Sequence, residues 1–149
     1  MSLEGQYDES NIFAKILRGD IPCVKVYEDD DVLSFMDAFP QSRGHVLVIP
    51  KEASRNLFDA SSDTLTKLIA QTQRIGTAVT KALTPDGVVI TQFNGAPAGQ
   101  TVFHLHFHII PRYTDIKLGQ HGSLGQHGSG GMADMDELTA LAEQIKTAL

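Results

Sequence analysis

Three histidines near the end of the chain alternate with apolar residues, in the segment Phe-His-Leu-His-Phe-His-Ile-Ile over positions 103–110. Successive side chains of a β-strand point to opposite faces, so the alternation predicts a strand over 102–110. His104, His106 and His108 would then share one face, and Phe103, Leu105, Phe107 and Ile109 would enter the core. A neutral imidazole donates, accepts or attacks near pH 7, so this row is a candidate catalytic site.

The same pattern is compatible with other kinds of site. Alternating histidines on one strand also serve as metal ligands. A solvent-exposed strand can carry histidines without any function, and a site can combine one catalytic histidine with two supporting ones. The histidines alone leave these alternatives open.

The loop before the histidines favours an anionic ligand. Positions 94–101 read Asn-Gly-Ala-Pro-Ala-Gly-Gln-Thr, and small residues let backbone N–H groups approach an anion. Gln100 and Thr101 add side-chain donors. In isolation the loop is typical of a hairpin turn, but beside three histidines it indicates a phosphate-binding loop.

The sequence predicts both helices and strands, which together must position these residues. Asn11 and Gly19 bound a short helix from Ile12 to Arg18, and a long amphipathic helix, capped by Ser62 or Asp63, runs to about Leu83. A final helix, capped by Asp134 or Asp136, runs through Leu149. Strands are predicted over 24–27, 32–36, 45–49, 88–92 and 102–110. The tight turns between strands favour an antiparallel sheet and the α+β class.

Composition excludes several classes of protein. A chain of 149 residues fits one domain, and a net charge of −6 spread along the chain argues against a broad nucleic-acid surface. No apolar run reaches the ~18 residues that a membrane span requires. The polar N-terminus does not resemble a signal peptide. Cys23 is the only cysteine, which excludes an internal disulfide and favours a reducing, cytoplasmic location.

The ends of the chain differ from its centre. We expect a flexible N-terminal arm over residues 1–10, a domain over 11–116, and a tail over 117–149. The tail would hold a Gly-rich loop and a helix packed on the same domain or on a dimer partner. Its loop repeats Gly-Gln-His-Gly-Ser at 119–123 and 125–129, with His121 and His127 expected to be ordinary loop residues.

Three blocks together resemble the histidine-triad superfamily. Residues 99–112 are similar to its signature, residues 29–37 and 40–51 to a second block, and residues 11–16 with 21–22 to a third. The blocks keep the family's order, and the branch they resemble contains nucleotide-binding proteins that cleave nucleoside phosphoramidates. The resemblance implies a five-stranded antiparallel sheet with a long helix, a short N-terminal helix and a C-terminal helix.

The resemblance also implies separate roles for the histidines. His106 would attack the α-phosphorus and form a nucleotidyl-histidine intermediate that water resolves. A backbone carbonyl near Gly99 would hold its other ring nitrogen. His108 would contact the phosphate or pass a proton to the leaving amine, with His104 in support and His45 in the same cluster.

Further positions match the family's substrate contacts. Gly99, Gln100 and Thr101 would bind the phosphate, and Asp37 would accept hydrogen bonds from the ribose hydroxyls. Ala38, Phe13 and Phe35 would line the pocket for the base. One departure concerns the phosphate-contacting Asn of close relatives, whose position holds Phe93 here; Asn94, one residue later, is the candidate to replace it.

A second departure concerns metal. Some family members bind zinc through Cys-x-x-Cys, but this chain has Asn11 and Ala14 at those positions, and Cys23 cannot replace both cysteines. We therefore expect no structural zinc and no cofactor.

The implied partners are a purine nucleoside monophosphate or its conjugates, and a second copy of the chain. Residues 75–83 could serve a homodimer interface or the core. Three other functions remain open: a dinucleoside polyphosphate hydrolase, a nucleotide-binding scaffold with little activity, and a metal-binding protein. We expect neither nucleic acid nor a membrane as partner.

Overall fold

A computed structural model describes residues 2–116 and 131–149. Its helices are α1 (Ile12–Arg18), α2 (Ser62–Leu83) and α3 (Met135–Thr147), and its strands are β1 (Lys25–Glu28), β2 (Val32–Met36), β3 (Val46–Pro50), β4 (Gly87–Thr91) and β5 (Phe107–Arg112). A short 3₁₀ turn, Ala96–Ala98, lies between β4 and β5. The predicted repeat at 119–129, with His121 and His127, lies outside the described residues.

The helix ends follow local capping signals. The Asn11 side chain accepts from the Ala14 N–H at 2.9 Å, and Gly19 ends α1 with a φ of 83°. Ser61, rather than Ser62 or Asp63, caps α2 by accepting from the Thr64 N–H. Asp134 caps α3, and that helix ends at Thr147, short of the predicted Leu149.

The five strands form one antiparallel sheet in the order β1-β2-β3-β5-β4, which confirms the predicted α+β class. Helices α2 and α3 cover one face, where Val46, Val48 and Ile109 join the main core. Helix α1 covers part of the other face, where Phe13 packs with Leu47 and other apolar residues of β2 and β3. His108 pairs with Leu47 in the register, so its side chain belongs to the α1 face.

The strand predicted over 102–110 is shorter than expected. β5 begins at Phe107, so His104 and His106 precede it and only His108 lies on a strand. The reason is that the segment before β5 makes its hydrogen bonds outside the sheet. The Leu105 N–H donates to the Ser54 carbonyl, and the His104 ring donates to the Pro50 carbonyl. Leu105 and Ile109 are fully buried as predicted. Phe103 and Phe107 are only half-buried, and Phe103 lies beneath the Arg55 guanidinium.

The N-terminal arm, expected to be loose, contacts the rest of the domain. Arg55 donates to the Ser2 carbonyl, and Asn56 donates to the Leu3 carbonyl at 2.8 Å. The Tyr7 hydroxyl reaches the His104 ring. Among the described residues, no helix has the length and apolar character to cross a bilayer.

Candidate active site

His106 is held through one ring nitrogen. Its Nδ1 lies 2.6 Å from the backbone carbonyl oxygen of His104. A carbonyl can only accept, so Nδ1 carries the proton and the neutral ring has its lone pair on Nε2. The expected carbonyl near Gly99 is therefore wrong in position: the acceptor lies two residues before His106, in the segment that precedes β5.

His108 is held in the opposite way. The Gln41 N–H donates to His45 Nδ1 at 3.0 Å, so neutral His45 carries its proton on Nε2. That nitrogen lies 2.9 Å from His108 Nδ1 and 3.5 Å from Asp37 Oδ2. His108 Nδ1 therefore accepts, and neutral His108 carries its proton on Nε2. The structure thus brings His45 into the histidine cluster, as the resemblance implied.

The two rings are complementary. The His106 and His108 ring centroids lie 5.0 Å apart, and both residues are buried. One neutral ring has a lone pair on Nε2, and the other has an N–H at Nε2. A ring nitrogen with a lone pair and a ring N–H donor therefore belong to neighbouring residues, a combination that suits attack at phosphorus with a hydrogen bond to its oxygens.

His104 supports this pair from behind. It is fully buried, its Nε2 lies 2.8 Å from the Pro50 carbonyl oxygen, and its Nδ1 lies 2.5 Å from the Tyr7 hydroxyl. Burial lowers the pKa of His104, and the bond to Pro50 only partly opposes that effect. His104 is therefore neutral at pH 7, and its backbone carbonyl accepts the hydrogen bond from His106 Nδ1.

One of the side chains predicted to bind phosphate, Gln100, instead makes hydrogen bonds that stabilise the loop before the histidines. Gln100 is buried, its Oε1 accepts from the Gly95 N–H at 2.8 Å, and its Nε2 donates to the carbonyls of Arg55 and Val102. Both amide hydrogens of Gln100 are therefore used within the fold. Thr101 is exposed beside it, which leaves Thr101 as the more accessible of the two donors.

Asn94 also has a structural position. Its Oδ1 accepts from the Leu57 N–H at 2.9 Å and from Gln92, and its Nδ2 donates to Gln92 Oε1 at 3.0 Å. The expectation that Asn94 contacts phosphate from a shifted register is therefore not supported. Phe93 instead stands next to the cluster, with its ring centroid 6.0 Å from that of His108.

Gly99 allows this close approach. Its φ is 110°, and a Cβ at that position would lie 3.2 Å from the Phe93 ring. Both the backbone conformation and the space therefore favour glycine. Phe93 and Gly99 together form an apolar side to the site, at the position where the resemblance predicted an amide.

A large apolar cavity opens beside the histidines on the α1 face. Its volume is about 540 Å³, and Phe13, Phe35, Asp37 and Ala38 all line it. The Phe13 ring stands edge-on to Phe35 and to His106, with centroid distances of 5.5 Å and 4.9 Å. The residues predicted for the ribose and the base therefore share one cavity that adjoins the predicted nucleophile.

The C-terminal segment forms another wall of the same cavity. Met132, Met135 and Leu138 line it, and the Ala133 N–H donates to the Ala38 carbonyl at 2.8 Å. Leu138, Leu141, Ala142 and Ile145 anchor α3 in the main core. Within this chain, residues 131–149 therefore pack on the domain that carries the histidines.

The positions at which some family members carry zinc-binding cysteines have structural roles or no ligand atom here. The Asn11 side chain caps α1, and Ala14 has no ligand atom. Within residues 2–116 and 131–149, Asp37, His45 and His108 form a group whose ligand-type atoms lie within 4.8 Å of one another. However, the Gln41 N–H at His45 Nδ1 leaves the proton on the Nε2 that faces the group, so a hydrogen-bond chain fits these atoms better than a metal does.

Sequence reasoning missed three sets of contacts. The first joins Tyr7 to His104, 97 positions along the chain. The second brings Met132 and Met135 to the wall of the cavity. The third places Phe93 beside His108, where the sequence indicates only a lost amide. The single available signal was an aromatic residue in an otherwise polar arm. Nothing in the local sequence identifies its partner.

Fold and site together define the class: an α+β protein whose buried histidine cluster lies between a glycine-containing loop and an apolar cavity. Residues 18–115 match the HIT domain family, and the chain belongs to that family.

Three similar proteins carry informative names. The adenosine 5′-monophosphoramidase hnt1 of Schizosaccharomyces pombe is 38% identical over 140 residues, covering 94% of this chain and 98% of that one. The adenylylsulfatase HINT3 of Arabidopsis thaliana is 42% identical over 101 residues, covering 68% of this chain and 51% of that one. A crystal structure of a Hit-like protein from Bartonella henselae, described as involved in cell-cycle regulation, superposes with a TM-score of 0.88 at 48% identity, covering 97% of this chain and all of that one.

Proposed function

We propose that this protein is a nucleotide hydrolase that cleaves nucleoside 5′-phosphoramidates, or related nucleotidyl conjugates, at the α-phosphate. One observation carries the proposal: the His106 and His108 rings lie 5.0 Å apart, and the hydrogen bonds at their Nδ1 atoms give them opposite tautomers, with a lone pair on His106 Nε2 and a proton on His108 Nε2. The names of two relatives, an adenosine 5′-monophosphoramidase and an adenylylsulfatase, support the same α-phosphorus chemistry.

In the first step, His106 Nε2 attacks the α-phosphorus and the bond to the leaving nitrogen breaks. The departing nitrogen takes its proton from a water molecule, and the neutral His108 keeps its Nε2–H, which donates a hydrogen bond to the α-phosphate oxygens. The His106 ring becomes positively charged, and its Nδ1–H bond to the His104 carbonyl stabilises that charge at 2.6 Å.

In the second step, the hydroxide left by that water attacks the nucleotidyl-histidine. The new P–O bond forms as His106 Nε2 leaves phosphorus, and His108 keeps its proton throughout. The products are the amine and the nucleoside monophosphate, and the His106 ring returns to its first state. His45 Nε2–H keeps His108 Nδ1 in its accepting role in both steps.

The substrate would lie with its phosphate at the histidines and its base in the 540 Å³ cavity. Asp37 is buried there, and its carboxylate suits the vicinal hydroxyls of a ribose, because it accepts twice. Phe13 and Phe35 offer aromatic edges to a purine. Thr101 and the N–H groups of the loop would contact the phosphate.

We expect His106→Asn to lower the rate of adenosine 5′-phosphoramidate hydrolysis by at least ~10³-fold, because the nucleophile is lost. Wild-type protein denatured rapidly at alkaline pH, where the P–N bond survives, should carry one adenylyl group by mass spectrometry, and the variant should carry none. His121→Asn removes an imidazole from the Gly-rich loop and serves as the matched control. Wild-type turnover by His106→Asn would exclude the covalent route.

The leaving group is tested separately. We expect kcat/KM to be higher for an adenosine phosphoramidate than for adenylylsulfate or a diadenosine polyphosphate, because the relative that is covered over 98% of its length is named an adenosine 5′-monophosphoramidase. A higher value for the polyphosphate would favour the alternative function.

We further propose a cytoplasmic homodimer built from the domain at 11–116, with the arm and tail packed on it.

A further inference from the structure

The N-terminal arm contributes one polar side chain to the histidine cluster. The Tyr7 hydroxyl lies 2.5 Å from His104 Nδ1, and its ring stands edge-on to the imidazole with a centroid distance of 5.7 Å. This contact joins positions 97 residues apart. The proposed reaction assigns no role to it.

The direction of the hydrogen bond is fixed by the other side of the imidazole. His104 Nε2 faces the Pro50 carbonyl, which can only accept, so Nε2 carries the proton. His104 Nδ1 must then accept, and the Tyr7 hydroxyl donates. Burial raises the pKa of Tyr7, although a bond with Asn11 opposes the effect, so the hydroxyl remains a donor at neutral pH. Among charged groups, Glu9 and Asp8 act in the same direction and Arg18 against it.

Two contacts connect the position of His104 to that of the His106 ring. The His104 backbone carbonyl holds His106 Nδ1 at 2.6 Å. The Phe13 ring also packs edge-on against both imidazoles, with centroid distances of 6.4 Å to His104 and 4.9 Å to His106. A rotation of the His104 ring would therefore disturb the Phe13 ring that packs on His106, and a shift of the His104 backbone would move the carbonyl that accepts from His106 Nδ1.

The arm is fixed well enough to do this. The Arg55 side chain donates to the Ser2 carbonyl, and Asn56 donates to the Leu3 carbonyl at 2.8 Å. The Arg55 carbonyl in turn accepts from Gln100 Nε2 at 2.8 Å. The arm, the loop before the histidines and the segment after β3 thus form one hydrogen-bonded unit.

We propose that Tyr7 is a positioning residue: its hydroxyl fixes the tautomer and orientation of His104 and, through the His104 carbonyl, the ring of His106. This inference rests on the proposed role of His106 as nucleophile. Tyr7 touches neither substrate nor reacting atoms, so its effect is on the readiness of His106 to attack.

The test is Tyr7→Phe, which keeps the ring and removes only the hydroxyl. In protein labelled with ¹⁵N-histidine, long-range proton–nitrogen correlations should show His104 protonated on Nε2 in the wild type. In the variant His104 should take up a proton at higher pH, because the bond that favours its neutral form is gone. The His106 signals should move as well.

The kinetic readout should follow. We expect kcat/KM for adenosine 5′-phosphoramidate to fall about tenfold, mostly in kcat, with the acid limb of the pH profile moved to higher pH. Tyr27→Phe is the matched control, because it removes a phenol that donates to Asp29 at 2.8 Å, outside the site. A urea midpoint for each variant verifies that it is folded.

Two results have different meanings. Unchanged signals of His104 and His106 in Tyr7→Phe, with an unchanged pH profile, would overturn the inference and leave Tyr7 as a packing residue. A wild-type protein that cleaves no nucleoside phosphoramidate would refute the proposed function instead. In that case the ring-nitrogen signals, which need no substrate, still decide whether Tyr7 fixes His104.

Discussion

The four histidines of the cluster have the same side chain but different protonation. Carbonyl acceptors place the proton on Nδ1 of His106 and on Nε2 of His104, while the Gln41 N–H places it on Nε2 of His45. His45 then determines the state of His108. Backbone groups thus determine which ring nitrogen of each histidine donates and which accepts.

The buried, neutral state of His104 makes the stability of the fold depend on pH. Burial lowers the pKa of His104 below its ordinary value of 6.5, so between these two pKa values the unfolded chain binds more protons than the folded one. The contribution to stability is therefore complete above pH 6.5 and is lost as the pH falls toward the folded pKa. The slope from this one residue is at most ~1.4 kcal/mol per pH unit.

Urea unfolding between pH 7 and about pH 5.5 measures the effect. The difference in unfolding free energy between the wild type and His104→Asn should shrink as the pH falls, because only the wild type has this buried imidazole. Other groups titrate equally in both proteins and cancel in the difference. A constant difference across the range would show that His104 takes up a proton as easily folded as unfolded.

Residue identities in the site could be predicted from the sequence, but their hydrogen-bond partners could not. The acceptor for His106 is the carbonyl of His104 and not one near Gly99. Gln100 was assigned to phosphate, yet its amide closes the loop onto Arg55 and Val102. Such choices depend on where a distant segment lies, and local residue types do not contain that information.

Elements bounded by local signals were predicted closely. Helix α1 has the predicted limits because Asn11 and Gly19 are its own caps. The limits of β5 were wrong at its beginning, since alternation describes side-chain pattern but not ladder partners. Residues 104–106 have the alternating sequence pattern of a strand. The carbonyls of Ser54 and Pro50 accept hydrogen bonds from this segment, however, so the strand does not extend through it.

The C-terminal segment is the element whose contribution to the site is least expected. Met132 is 66% exposed and Met135 46% exposed, and both line the cavity proposed for the base. Thioether side chains adapt to flat aromatic ligands at low cost. The Ala133–Ala38 bond holds this wall against the loop after β2. The segment therefore forms part of the wall of the cavity.

Replacing both methionines tests this wall. We expect Met132→Ala with Met135→Ala to raise KM for an adenosine phosphoramidate about tenfold, equal to ~1.4 kcal/mol of lost base contact, with kcat nearly unchanged. The steady-state rate on a ribose 5-phosphoramidate without a base should not change. Phe58→Ala, an exposed aromatic outside the cavity, is the control. An equal loss on both substrates would mean that the segment supports the fold and not the base.

At the scale of the whole molecule, one apolar surface lies away from the site. The groove between α2 and the edge strand β4 has a volume of about 760 Å³ and includes Ile69 and Ile90, which are 50% and 46% exposed. By contrast, Ile75, Val79 and Leu83, considered earlier for an interface, are in the main core. An exposed apolar groove next to an open strand edge is a common site of association between copies.

We therefore expect a homodimer that uses this groove. Ile69→Lys with Ile90→Lys places two like charges of each copy in the apolar contact, and should give a monomer by sedimentation velocity at concentrations where the wild type is dimeric. Phe58→Lys adds the same charge at a side chain that is 76% exposed and outside the groove, and should remain dimeric. A wild-type monomer, or a dimeric double variant, would place the interface elsewhere or remove it.

The position of the C-terminal segment predicts how this monomer behaves. Met132 and Met135 line the cavity of their own chain, and the Ala133 N–H bonds to Ala38 of the same chain. The histidine cluster and its supports also come from one copy. Loss of the partner should therefore leave KM and kcat for an adenosine phosphoramidate within about twofold of the wild type. A large loss of activity in a folded monomer would show that the second copy contributes to the site, and would exclude the tail as a wall supplied by the same chain.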